Sequence, residues 1–326
     1  MTNMYSDYAD ACYGALMENW YQCPISAGNV EEWFDNYADV WDDLAWWQCA
    51  NALETVINYS NLRQVDDIAD IISCVFNSNV GSYDGNFINN AYDDEAWWAL
   101  AWIKAFERTK NTRYLSVAEN IFNDMSSAWD WKCTGGIWWD KTRRDKNAIE
   151  NELFFTLAAR LYQKTLKGFY LDWAKDAWNW FNKSGLQGSD ALINDGLDLT
   201  TCTNNGKTTY TYNQGVILGG LACMYEITLD MGYVYKARQI ANATMTDLVK
   251  PKTSVLQEPC ETTPGGCGND GTQFKGIFIR YLSYLYQVEN ETLETPSDPR
   301  WVPKPSYETF FMTNADSIWN NARASN

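Results

Sequence analysis

A short pattern recurs along this chain and limits what it can fold into. Trp41-Asp42-Asp43-Leu44-Ala45-Trp46-Trp47 is echoed 51 residues later by Tyr92-Asp93-Asp94-Glu95-Ala96-Trp97-Trp98. Repeats of this length belong to stacked or circular arrays, in which one unit cannot bury its apolar face without its neighbours. The unit here is helical, because apolar and aromatic residues fall at three- and four-residue spacings and runs with a period of two are scarce. The periodicity predicts helices at 5–20, 41–59, 62–76, 92–109, 113–127, 147–165, 169–183, 211–229, 233–249, 273–289 and 308–322, with a short twelfth within 27–39.

Successive helices pair through brief polar turns such as Arg108-Thr109-Lys110-Asn111-Thr112, and longer loops separate the pairs. The first helix of a pair is rich in Trp, Tyr, Phe, Gly and Ala. The second, as in Tyr114-Leu115-Ser116-Val117-Ala118-Glu119-Asn120-Ile121-Phe122, carries a polar face. An inner and an outer ring would produce this contrast. About six hairpins closed into a ring make an all-α (α/α)6 barrel, and an open superhelix is the structural alternative. No Pro/Gly/Ser-rich linker divides the chain, so residues 1–326 are expected to form a single catalytic domain. The stretch 291–307, with Pro296, Pro299, Pro303 and Pro305, is expected to connect to the last helix as an ordered or semi-extended segment.

Composition then narrows the chemistry. The chain has no histidine, which removes Ser-His-Asp and Cys-His machinery and histidine-ligated metals and leaves carboxylates as the acid–base groups. A net charge of −17 without a basic run opposes nucleic acid and anionic membrane as partners. The 17 Trp, 20 Tyr and 13 Phe exceed what a core requires and suit stacking on sugar rings. No apolar run approaches the length of a membrane span.

Nine cysteines without a CxxC pair read as disulfides, with Cys260 and Cys267 closing a small Pro/Gly loop and at least one thiol left over. Sequons at Asn58, Asn182, Asn242 and Asn290 fit a eukaryotic secretory protein. The acidic first residues do not form a signal peptide, and a mature chain with an added Met1 would account for that.

The sharpest constellation is the adjacent pair Asp93 and Asp94, at the start of an expected inner helix. Two readings stand side by side. Acids at a helix start can cap free N–H groups and complement the dipole. Alternatively, one carboxylate attacks the anomeric carbon of a sugar while the other, kept protonated, donates to the departing oxygen. Retaining enzymes hold the two groups roughly 5 Å apart and inverting ones roughly 6.5–9.5 Å apart, so adjacency favours retention. Like charge and the nearby rings of Tyr92, Trp97 and Trp98 would raise one pKa, yielding an acid and a nucleophile from identical side chains.

Taken together, several motifs resemble glycoside hydrolase family 76, the endo-α-1,6-mannanases and related fungal cell-wall transglycosidases. They are Tyr92-Asp93-Asp94-Glu95-Ala96-Trp97-Trp98, Gly135-Gly136-Ile137-Trp138-Trp139-Asp140, Lys146-Asn147-Ala148-Ile149-Glu150-Asn151-Glu152-Leu153-Phe154, Tyr210-Thr211-Tyr212-Asn213-Gln214-Gly215, Phe274-Lys275-Gly276-Ile277-Phe278 and Asn314-Ala315-Asp316-Ser317-Ile318-Trp319-Asn320-Asn321-Ala322-Arg323. The resemblance implies an (α/α)6 barrel that cleaves α-1,6-linked mannan or mannoprotein glycan with retention, with Asp93 as nucleophile and Asp94 as acid/base. It places the repeat copy Asp42 and Asp43 outside the catalytic role, as structural or substrate-lining residues.

For substrate binding, Tyr92, Trp97 and Trp98 are expected to offer stacking surface beside the acids, Trp138, Trp139 and Asp140 follow a Gly-Gly turn, and Asn147, Asn151, Tyr212, Asn213 and Gln214 offer amides and a phenol to sugar hydroxyls. Asp270, Gln273 and Lys275 lie at another loop-to-helix junction. Capping or buried hydrogen bonding is the structural reading of each. The mechanism calls for no metal or cofactor, and the chain is expected to act as a monomer. The close functional alternative is a transglycosidase that passes the mannosyl group to a sugar acceptor. A non-catalytic mannan-binding protein and an acidic helical scaffold are further alternatives.

Overall fold

The computed structural model describes residues 2–21, 46–63, 65–292 and 306–322. These residues divide between two compact units, Met1–Ala128 with Asp140–Thr142 and Trp129–Trp139 with Arg143–Asn326. The first unit contains α1 (Thr2–Trp20), α2 (Trp46–Arg63), α3 (Ile68–Asn79), α4 (Tyr92–Thr109) and α5 (Thr112–Ser127). Within it, α4 packs against both α2 and α5, and α2 also meets α1 and α3.

The aromatic doublets of the sequence repeat account for the α2–α4 contact. Trp46 meets Trp98 with ring centroids 4.9 Å apart, and Trp47 meets Trp97 at 6.0 Å. Phe87, Trp102, Phe76 and Tyr114 extend this cluster through further ring contacts. Burying one such side chain contributes about 1.5–3 kcal/mol, which makes the doublets the adhesive between repeats. By contrast, α5 buries only Tyr114, Val117, Ala118, Ile121, Phe122 and Met125, the single stripe of an outer helix.

The second unit contains α6 (Ala148–Thr165), α7 (Gly168–Phe181), α8 (Thr211–Thr228), α9 (Met231–Asp247), the four-residue α10 (Gly268–Gly271), α11 (Phe274–Thr292) and α12 (Tyr307–Asn321). A two-stranded antiparallel ladder pairs β1 (Leu197–Asp198) with β2 (Thr203–Asn204). Helix α8 packs against α6, α11 and α9, while α6 carries α7 and α11 carries α12. Two glycines let α8 sit this close. A Cβ on Gly215 would lie 2.6 Å from the Phe278 Cα, and one on Gly220 would lie 2.4 Å from the Phe155 ring.

Three hairpins turn by the same device. Helices α4, α6 and α8 end on left-handed residues, Lys110, Leu166 and Leu229, with φ of 59°, 56° and 58°. The residue before each is a threonine whose hydroxyl donates to the carbonyl four residues back, at 2.7 Å in Thr109, Thr165 and Thr228 alike. The same hydroxyl accepts the N–H of Asn111, Lys167 or Asp230, the extended residue that opens the next helix. One αL residue plus one extended residue reverses the chain and satisfies the free groups at both helix ends.

Most expected helices are found within two or three residues of their predicted bounds, and α4 matches them at both ends. The helix expected from 62 begins instead at Ile68, because Leu62 and Arg63 complete α2 and the turn at Asp66 and Asp67 separates the two. The first residues of the expected 41–59 helix, including Asp42 and Asp43, lie outside the described residues, as do the 27–39 helix and most of 291–307. The Cys260–Cys267 bridge is present as expected, together with Cys133–Cys202, and Cys74 is also disulfide-bonded. Among the described residues no helix is long and apolar enough to cross a membrane.

Candidate active site

In the first unit, Asp93 and Asp94 stand in the opening turn of α4, both half-buried. The N-cap position is Ala91, which has no side-chain acceptor. Asp93 takes over part of that task, with its Oδ1 accepting the N–H of Asp94 at 3.1 Å. The capping reading is therefore correct for Asp93 as far as it goes. It also places an anionic carboxylate at the positive end of the helix dipole.

Asp94 has a different partner. The side-chain amide of Asn89 donates to its Oδ2 at 2.9 Å, and the Oδ1 of the same asparagine accepts the Ala91 N–H at 3.0 Å. The approach to the helix is fixed by an antiparallel bridge between Ala91 and Asp140 and by a 3.0 Å bond from the Lys141 N–H to the Asn90 carbonyl. Asp140 is buried and accepts from the Thr142 hydroxyl at 2.8 Å.

Directly behind the pair lies Glu95, fully buried. Its Oε1 accepts the Asn89 N–H at 3.1 Å and meets the Lys141 ammonium at 3.0 Å, while Lys141 also reaches Asp124 at 3.1 Å. Burial pushes the Glu95 carboxyl up to about 9, and Asp124 adds to the rise while Lys141 opposes it. Asn89 and Lys141 carried no signal in the sequence analysis. Asn89 precedes the helix by three residues, and Lys141 reaches it only through tertiary pairing.

The doublet Trp97-Trp98 was expected to offer stacking surface. The structure corrects this: Trp98 is 0% exposed within the ring cluster of Trp46, Phe87 and Trp102, and Trp97 is buried against Trp47. Neighbouring positions on α4 point about 100° apart, and α4 is enclosed on both those sides. Tyr92 is also buried, with the Lys141 ammonium 5.7 Å from its ring.

In the second unit, Trp138 is buried and donates its indole N–H to Asp130 at 2.8 Å, whereas Trp139 is half-buried with the Arg144 guanidinium 5.2 Å from its ring. Asn147 forms a capping box with Glu150 at the start of α6. Asn151 and Gln214 turn out to be loop anchors rather than ligand groups. The Asn151 amide bonds both the N–H and the carbonyl of Ile137 and also the Asn147 carbonyl. The Gln214 amide does the same for Ile193 and Tyr210. Their hydrogen-bonding capacity is already used by buried backbone, which a sugar could not displace without cost.

Asn213 is fully buried in α8. Tyr212 is half-buried and stacks on Phe274 at 3.8 Å, which brings the starts of α8 and α11 together. Beyond Phe274, Lys275 forms an ion pair with Glu261, and Asp270 and Gln273 sit half-buried in the preceding turn. Trp139, Tyr212, Asp270, Gln273 and Lys275 therefore retain some exposure, whereas Trp138, Asn151, Asn213 and Gln214 do not.

The sequence profile described as Glycosyl hydrolase family 76 matches residues 5–299. The chain belongs to glycosyl hydrolase family 76. The mannan endo-1,6-α-mannosidase DCW1 of Candida albicans is 29% identical over 279 residues, covering 79% of this chain. The match spans only 61% of that relative's length. Among solved structures, the Lin0763 protein of Listeria innocua superimposes with a TM-score of 0.80 at 24% identity, over 98% of this chain and 87% of its own. An inactive variant of the α-1,6-mannanase GH76A of Salegentibacter sp. HEL1_6, with two consecutive aspartates replaced by alanine and α-1,6-mannotetrose bound, gives 0.78 at 21% identity. That match covers 97% of this chain and 88% of the other. This family 76 member has the fold of those neighbours, the all-α (α/α)6 barrel expected from its helical hairpins.

Proposed function

We propose that this family 76 chain is a retaining endo-α-1,6-mannanase that acts as one catalytic domain, with Asp93 as nucleophile and Asp94 as acid/base. The observation that carries the reading is the pair itself: two consecutive carboxylates in one helical turn, held by different partners. Asp93 accepts backbone N–H at the positive helix end, which favours its anion. Asp94 accepts at Oδ2 from the neutral amide of Asn89, a partner that adds no charge.

In the first step a carboxylate oxygen of Asp93 attacks the anomeric carbon. The bond from that carbon to the glycosidic oxygen breaks with its electron pair, and the Asp94 proton passes to the departing oxygen. In the second step Asp94 takes a proton from water, the water oxygen bonds the anomeric carbon, and the ester to Asp93 breaks. The net change is hydrolysis, and both carboxyls return to their starting states.

The substrate class rests on the relatives, namely the mannan endo-1,6-α-mannosidase of Candida albicans and the Salegentibacter enzyme bound to α-1,6-mannotetrose. That the latter is inactive with two consecutive aspartates replaced supports the assignment to Asp93 and Asp94. Five disulfide-bonded positions outside any CxxC motif, Cys74, Cys133, Cys202, Cys260 and Cys267, support a secreted or wall-associated protein. Incubation with linear α-1,6-mannan tests the reading. Wild type is expected to release oligosaccharides, and Asp93→Asn and Asp94→Asn are each expected to lose at least about 10²–10⁴-fold in rate. Release by either variant at the wild-type rate removes that residue from the mechanism.

A further inference from the structure

The structure assigns Asn89 as a positioning residue for Asp94, one that orients this carboxyl through Oδ2 and favours its proton on Oδ1. The inference rests on the proposed function and adds a part that no motif marked. Asn89, in the loop before α4, touches three separate parts of this turn. Its amide N–H₂ donates to Asp94 Oδ2, its Oδ1 accepts from the Ala91 N–H, and its backbone N–H donates to buried Glu95.

The chemical consequence follows from what an amide can do. The N–H₂ group is a donor only, so the Oδ2 it meets must act as acceptor. The carbonyl-type oxygen is the better acceptor of the two, so when Asp94 is protonated this bond favours the proton on Oδ1. A general acid must present its proton, and not its lone pair, to the leaving oxygen at hydrogen-bond distance. Asn89 therefore disfavours the arrangement in which Oδ2 carries the proton.

Asn89 is itself held by unusual backbone. Asn86 and Phe87 are both left-handed, with φ of 54° and 66°, a conformation that costs a residue other than glycine roughly 1 kcal/mol or more. Phe87 offsets this by inserting its ring, 0% exposed, among Trp46, Phe76, Trp98 and Trp102. The ring anchors the loop two residues before Asn89. Glu95 and the Lys141 ammonium fix the Asn89 backbone from the other side. Strain kept at such a place, compensated by a buried anchor, matches a demand for position.

Two variants separate this role from loop architecture. Asn89→Asp keeps an oxygen to accept the Ala91 N–H but replaces the donor to Asp94 with an acceptor. Asn89→Ser keeps a hydroxyl for Ala91 but is too short to reach Asp94, and it serves if Asn89→Asp does not fold. Each would be assayed on linear α-1,6-mannan and on 2,4-dinitrophenyl α-1,6-mannobioside, with the first turnover of dinitrophenolate followed by stopped flow. Dinitrophenolate departs without a proton, so only the polymer needs the acid.

The expected result is a kcat on mannan lowered about 10- to 100-fold with KM within about twofold, a dinitrophenolate burst within about threefold of wild type, and an unchanged unfolding midpoint. Equal losses on both substrates, or no loss on either, would overturn the inference. A wild-type protein inactive on both substrates would instead sink the proposed function, and this inference with it.

Discussion

The ammonium of Lys146 lies 2.7 Å from Asp130 Oδ1 and is completely buried. It also donates to the carbonyls of Lys132, Gly135 and Gly136, at 2.9, 2.8 and 2.9 Å, so that the loop 130–136 is wrapped around a cation supplied by the chain itself. Burial pulls the Lys146 ammonium down, and Asp130 works against that pull. Asp130 is in turn held below the usual carboxylate range, because bonds from Lys146, Trp138 and the Lys132 backbone outweigh its partial burial.

Replacing Lys146 by Met keeps the volume and removes the charge, which leaves three carbonyls and one carboxylate without their common donor. The expected loss is on the order of 3–5 kcal/mol, read from urea unfolding. Lys146→Arg is expected to rescue little, since a planar guanidinium cannot replace a compact ammonium among four acceptors. A loss below about 1 kcal/mol for Lys146→Met would mean that the loop does not depend on this cation.

Glu258 gives stability a pH dependence. It is fully buried, and its carboxylate accepts the Thr211 N–H at the start of α8 along with the Thr211 hydroxyl. Burial, only partly offset by these bonds, pushes it up to about 7 from the usual 4.5. A group whose folded pKa is raised in this way is protonated in the native state and ionised in the unfolded chain between those two values. Stability contributed by Glu258 therefore falls as pH rises from about 4.5 to about 7 and is flat above, a change of roughly 3 kcal/mol. In Glu258→Gln this slope should vanish, so the difference in unfolding free energy between the two proteins should change across that window. Parallel stability curves from pH 4.5 to 8 would contradict the assignment.

The left-handed hairpin residues make a prediction of opposite sign. Leu166 and Leu229 are exposed and bury little apolar area in return for their positive φ. Glycine adopts this conformation without the Cβ penalty. Leu229→Gly and Leu166→Gly are each expected to raise stability by about 0.5–1 kcal/mol, and a decrease for both would show that these side chains make contacts that matter.

These cases show what could be read from the chain and what could not. Helix α4 was legible at both ends because its aromatic spacing stops where Lys110-Asn111 supplies a turn. The start of α3 was not, since Leu62 and Arg63 continue the same periodicity across a break set by Asp66 and Asp67. The Asp93-Asp94 pair was visible as two adjacent acids at a helix start. Its partners were not: the bridge from Ala91 to Asp140 joins segments far apart in sequence, and only that pairing brings Lys141 to Glu95. The Trp97-Trp98 doublet misled for a similar reason, because its partner, the Trp46-Trp47 doublet, belongs to the other copy of the repeat.

The central claim is that adjacent Asp93 and Asp94 carry out a double displacement on α-1,6-mannan. The most direct measurement is proton NMR of the first reducing ends released from the linear polymer, recorded before mutarotation. The account predicts that these ends appear in the α configuration and are absent with Asp93→Asn. Ends that appear first in the β configuration would require a water between the carboxylates and a single displacement, and would contradict it.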